Sequence, residues 1–166
     1  MCNQTLHETG KLMEYASIER EIHVDASPEV VFEVISRPEH LREWWPDDAD
    51  LEPVPGAVGE LIWRGDDRAE PMVVPLTVIA AEPPRLFSFR WTHPADEKAE
   101  VGNSLLVTFE LLPVGAGTTV RMTETGFREM GWEIAVLEET YRDHSQGWDH
   151  FIPRLGEYVV RLVSAS

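Results

Sequence analysis

The chain has 166 residues, enough for one domain and too few for two ordinary ones. Fourteen Lys and Arg face thirty Asp and Glu, a formal net charge of −16. That balance argues against nucleic-acid binding, which needs clustered cations to displace counterions, and against docking on an anionic membrane surface.

The first residues, Met1 to Gly10, lack a basic region followed by an apolar stretch, so no signal peptide is expected. Cys2 is the only cysteine, which excludes an internal disulfide and a Cys-based zinc site and makes a reducing cytoplasm the default setting. Residues 1–15 carry little periodicity and are expected to form a flexible extension, with a single domain over 16–163. Ile18 to Asp25 alternates apolar and polar, the pattern of a half-buried strand. Ser27 can cap the helix that follows, Pro28 fits its first turn, and Val30, Val31, Val34 and Ile35 supply its apolar face. Ser36 with Glu39 reads as a capping box opening a second short helix that ends near Trp44-Trp45-Pro46. Asp47 to Gly59 is expected to be turns.

The middle of the chain is β-rich. Strands are expected over Gly59–Arg64, Pro71–Ala81, Leu86–Thr92, Asn103–Leu112 and Thr118–Thr125. Gly65-Asp66-Asp67, Pro83-Pro84 and Gly115-Ala116-Gly117 separate them, and Pro94 to Gly102 forms an acidic loop. Phe87, Phe89 and Trp91 share one face, as do Leu105, Val107, Phe109 and Leu111, and Val120, Met122 and Glu124. A short helix is expected over Trp132–Tyr141. A longer one runs from about His144 to Val163, with Trp148, Phe151, Ile152, Leu155, Tyr158, Val159 and Leu162 at helical spacing and a bend at Pro153.

One long helix after a run of antiparallel strands must bury its stripe against a curved sheet face, an α+β helix-grip arrangement. Several ordered motifs make the resemblance more specific. They are Ala26-Ser27-Pro28-Glu29-Val30-Val31-Phe32, Pro38-Glu39-His40-Leu41 with Trp44-Trp45, Glu82-Pro83-Pro84-Arg85-Leu86, Val107-Thr108-Phe109-Glu110, Thr123-Glu124-Thr125-Gly126-Phe127, and Gly147-Trp148. The chain resembles the START-like, or SRPBCC, superfamily, which includes the birch-pollen-allergen-like proteins. Within it the chain looks like the branch related to the activator of the ninety-kilodalton heat-shock chaperone's ATPase. The resemblance implies an internal cavity between sheet and C-terminal helix.

Trp45, Trp63, Phe89, Trp91, Phe109, Met122, Glu124, Phe127, Trp148, Phe151, Ile152 and Leu155 are the candidate lining of that cavity. Taken singly, the aromatics serve core packing equally well. Glu124 is the sharpest candidate. An inward carboxylate needs a partner or a shifted pKa, and it is either a strand-end residue bonded to backbone, Arg90 or Arg121, or a ligand anchor or general acid–base. His144 and His150, six apart, read as surface or cap histidines. The acidic runs Asp47-Asp48-Ala49-Asp50 and Asp66-Asp67 lack calcium-loop spacing and read as solvated turns. No HExxH, GxSxG, GxGxxG or P-loop motif occurs, so neither a metal nor a nucleotide cofactor is expected.

The leading expectation is a cytoplasmic binding module for a small hydrophobic molecule of lipid, polyketide or aromatic type, more a binder than an enzyme. A cyclase- or hydrolase-type enzyme using Glu124, with Arg90 as electrostatic partner, is the second. A protein-interaction module is the third, either a homodimer or a chaperone partner, the latter by analogy alone.

Overall fold

The structure, a computed structural model, describes residues 15–65 and 70–165. The expectations for residues 1–14, Cys2 among them, and for Asp66-Asp67, lie outside the described residues. Tyr15, assigned to the extension, is buried and packs edge-on against Tyr141.

Strand β1 (Ser17–Val24) leads through Ser27 into α1 (Pro28–Ser36). The Ser27 hydroxyl accepts from the Val30 amide and Pro28 occupies the first turn, as the sequence indicates. Helix α2 (Pro38–Trp44) follows after a single residue, Arg37. The expected capping box is not formed. Ser36 closes α1 instead, its hydroxyl donating to the Phe32 carbonyl, and Arg37 stands at the N-cap of α2 without a side-chain cap. Pro38 starts α2, because its missing N–H would have no helical partner in any case.

Six further strands follow: β2 (Asp48–Asp50), β3 (Val58–Trp63), β4 (Met72–Glu82), β5 (Leu86–Trp91), β6 (Leu105–Val114) and β7 (Gly117–Thr125). They form one antiparallel sheet in the order β1-β7-β6-β5-β4-β3-β2. Asp48–Asp50 is therefore an edge strand and not a solvated turn. Its chain passes so close to β3 that a Cβ at Gly59 would strike the Asp50 carbonyl and the Leu51 side chain. Register then assembles one apolar face. Phe87 lies opposite Phe109, which lies opposite Met122, and Phe89 lies opposite Val107, which lies opposite Glu124. Because strand side chains alternate, this register sends Glu19, Glu21, Thr108, Glu110, Arg121 and Thr123 to the outer face.

The final helix, α3 (Ile134–Ser164), is a single helix of 31 residues, where the sequence suggests two pieces. Its polar middle is tied to β1 by hydrogen bonds. The Tyr141 hydroxyl donates to the Ser17 carbonyl at 2.7 Å, and Arg20 donates to the Ser145 hydroxyl and to Asp149, both at 2.8 Å. These contacts carry helix through a stretch whose apolar pattern is thin. The helix also continues through Pro153. Leu137, Trp148, Ile152, Leu155 and Val159 bury its inner stripe against the sheet's apolar face, beneath α1 and α2. This is the helix-grip architecture. No helix among the described residues is long and apolar enough to cross a membrane.

Candidate functional site: a tryptophan cleft over a buried carboxylate

Five of the six tryptophans gather at one end of the helix–sheet interface. Four elements place them: Trp44 and Trp45 come from the end of α2, Trp63 from β3, Trp91 from β5 and Trp148 from α3. Trp45 is the hub. Its ring lies 5.1 Å from Trp91, 5.2 Å from Trp148, 5.7 Å from Phe89 and 5.8 Å from Trp63. Trp44 turns away to donate its indole N–H to the Val34 carbonyl, which joins α2 to α1.

Glu124 lies at the inner end of this cluster with no exposure at all. Three side chains converge on it. The Trp91 indole N–H donates to Oε2 at 2.7 Å, and the Trp148 indole N–H donates to Oε1 at 2.9 Å. His144 places Nδ1 3.0 Å from Oε1 and 3.1 Å from Oε2. An indole can only donate, so both carboxylate oxygens act as acceptors. A buried carboxylate is tolerable when it is paired and hydrogen-bonded in this way. Among the described residues no buried side-chain nitrogen or oxygen lacks a partner.

This arrangement corrects two expectations. Glu124 meets neither Arg90, which is placed toward the Ser104 hydroxyl, nor Arg121, which pairs with Glu21 on the outer face. His144 is not a surface histidine: it faces inward from α3 onto Glu124, with a side chain 19% exposed. His150 does sit on the exposed side, edge-on to Phe151. Sequence reading missed His144 because its partner lies on another element. The available signal was the stripe Leu137, Tyr141, His144, Trp148, which places His144 on the buried side of one continuous helix.

Outside the Glu124 cluster the interface opens into a cleft of about 440 Å³. Trp45, Trp91 and Trp148 are its largely buried floor, and Trp63, Met72, Val74, Phe151, Gly147, Asp143, His144 and Thr92 its walls and rim. The cleft is open to solvent, not enclosed. Of the candidate lining residues, Trp45, Trp63, Trp91, Trp148 and Phe151 meet there. Phe89, Phe109, Met122, Phe127, Ile152 and Leu155 do not; they are buried packing behind it, and Glu124 lies beneath the tryptophans. Behind the cleft Phe109 and Met122 are fully buried, and Phe109 packs edge-on against Trp148 of α3.

Thr92 on the rim has φ 67°, in the left-handed region that β-branched residues avoid. Its amide donates to the Pro75 carbonyl at 3.1 Å, which holds the turn in place. Backbone strain of this kind clusters at ligand and active sites.

Solved structures share the architecture. Protein MLL2253 of Mesorhizobium loti superposes with a TM-score of 0.69 at 24% identity, covering 87% of this chain and 97% of that one. The Aha1 dimer of Colwellia psychrerythraea gives 0.66 at 20% identity, covering 86% and 95%. CalU16 of Micromonospora echinospora gives 0.61 at 18% identity, covering 86% and 75%. At such identities the likeness carries the fold alone. No curated protein matches the chain. The family model described as Activator of Hsp90 ATPase homolog 1-like protein matches residues 25–160, and the chain belongs to that family.

Proposed function

We propose that this domain binds a small apolar, ring-bearing molecule in the tryptophan cleft. One observation carries the reading: at one end of the helix–sheet interface Trp63, Trp91, Trp148 and Phe151 line an open apolar cleft. Ligand sites are mostly apolar concavities with a few placed polar groups, and a volume of about 440 Å³ suits a compact molecule better than a long acyl chain. The test is native mass spectrometry with thermal-shift screening against lipids, polyketides and aromatic compounds. Aromatic compounds should raise Tm in the parent protein and fail to do so in Trp63→Ala. If no class binds, or if Trp63→Ala keeps the shift, the cleft is not the ligand site.

A second reading, an enzyme of cyclase or hydrolase type, is favoured by the Glu124–His144 pair. In that reading His144 is the group that reaches the cleft and Glu124 orients it. The cytoplasmic setting, self-association and a chaperone partner belong to the same proposal and rest on the single cysteine and on fold likeness. Light scattering at micromolar protein reads self-association directly.

A further inference from the structure

We infer that the ligand of the cleft is a neutral aromatic molecule bearing a hydroxyl, and that this hydroxyl donates a hydrogen bond to Nε2 of His144. The inference rests on the reading of the cleft as a ligand site. Both Glu124 oxygens already accept from indoles, so the carboxylate is the acceptor toward His144 too, and Nδ1 carries the hydrogen between them. A neutral imidazole protonated at Nδ1 offers a lone pair at Nε2. Among the described residues Nε2 has no hydrogen-bond partner, and His144 lines the cleft. The ring is held edge-on between Trp91, at 5.4 Å and 65°, and Phe127, at 5.6 Å and 89°. In that neutral form its free nitrogen is a fixed acceptor at the edge of an aromatic wall.

Charge narrows the class further. Asp143 lies beside His144 on the rim, and among the described lining residues there is no Lys or Arg. With a net charge of −16 on the chain, an anionic headgroup would meet repulsion without a counter-charge. A neutral ring with one donating hydroxyl meets tryptophan faces for its body and one acceptor for its polar tip. Glu124 is a positioning residue here: it sets the tautomer of His144 and is itself out of reach of the ligand.

The test uses two probes, naphthol and its methyl ether, titrated at neutral pH by tryptophan fluorescence. The ether keeps the ring and the oxygen acceptor but cannot donate. Naphthol should bind about fivefold more tightly, the factor of one neutral hydrogen bond. His144→Phe should abolish that preference and leave the ether's affinity in place. Glu124→Leu removes both acceptors and so frees the tautomer of His144, and the preference should weaken there as well. Nitrogen NMR of the His144 ring in the unaltered protein gives a readout independent of variant folding: Nε2 should shift with naphthol and not with the ether. Equal binding of the two probes, or a preference that survives His144→Phe, overturns this inference and leaves the cleft as a ligand site. Binding of neither probe overturns both.

Discussion

The two ends of the helix–sheet interface draw on the same residue types and close differently. At one end Val31 and Ile35 of α1 cover Phe87, Phe109, Leu155 and Val159, all essentially without exposure. At the other, α2 stops at Trp45, and large rings surround a space they do not fill. Among the described residues the closed end has no buried carboxylate, while the open end is organised on one, Glu124, whose acceptors fix two indoles and an imidazole. Apolar packing tolerates many arrangements of similar volume, whereas a hydrogen-bonded polar cluster specifies one. The rings beside a cleft have neighbours on one side only, so hydrogen bonds at their inner edge do what packing does elsewhere.

Substitutions should separate the two ends. Phe87→Ala, at the closed end, removes a buried ring in contact with Phe32 and Phe89 and should cost about 4 kcal/mol by chemical denaturation. Ligand binding by its folded fraction should be unchanged; a loss of binding would mean that the two ends are coupled. Glu124→Leu keeps the bulk but leaves two buried indole N–H groups without an acceptor, and should cost about 3 kcal/mol. Near-UV circular dichroism should report the released tryptophans, and a variant as stable and as ordered as the parent would remove Glu124 as the organiser of the cleft.

Smaller effects test the details. Thr92→Gly relieves a left-handed backbone at the rim, where the side chain is exposed, and should raise stability by about 0.5 kcal/mol, the steric relief being partly offset by the entropy of glycine. At the closed end, Tyr158 lies 2.7 Å from Nδ1 of His40. Burial, with the neighbouring Glu43 carboxylate, raises its hydroxyl above the ordinary value of 10.0. The folded state then holds this proton more tightly than the unfolded state. Its contribution is complete below pH 10.0 and is lost as pH rises through the higher folded value. Tyr158→Phe should flatten that alkaline decline in a urea-denaturation series; an identical decline would assign it to other groups.

Much of the closed end was legible from the chain. Period-two alternation in β5, β6 and β7 identified the apolar face, and the 148–159 spacing identified the helix that covers it. The open end was legible in its residues but not in its arrangement. Asp48–Asp50 has no apolar pattern and becomes a strand only because β3 pairs with it, which Gly59 permits. Residues 142 and 143 fall between the two expected helices, and the continuous helix there is held by Arg20 and Ser17 on β1. Glu124 was singled out by its place beside Val120 and Met122. Its partners Trp91, His144 and Trp148 come from β5 and α3, and spacing within one element carries no information about them. Ser36 fits two roles by sequence, and the short α1–α2 joint decided between them.

The most direct test of the central claim, that the open end binds and the closed end does not, is a backbone and indole chemical-shift map on titration with naphthol. Shifts should concentrate at Val74, Thr92, Gly147 and Phe151 and at the indole N–H signals of Trp63, Trp91 and Trp148, while Val31, Phe87 and Val159 stay fixed. Shifts centred on the closed end, or on the outer sheet face around Glu21 and Arg121, would contradict the account.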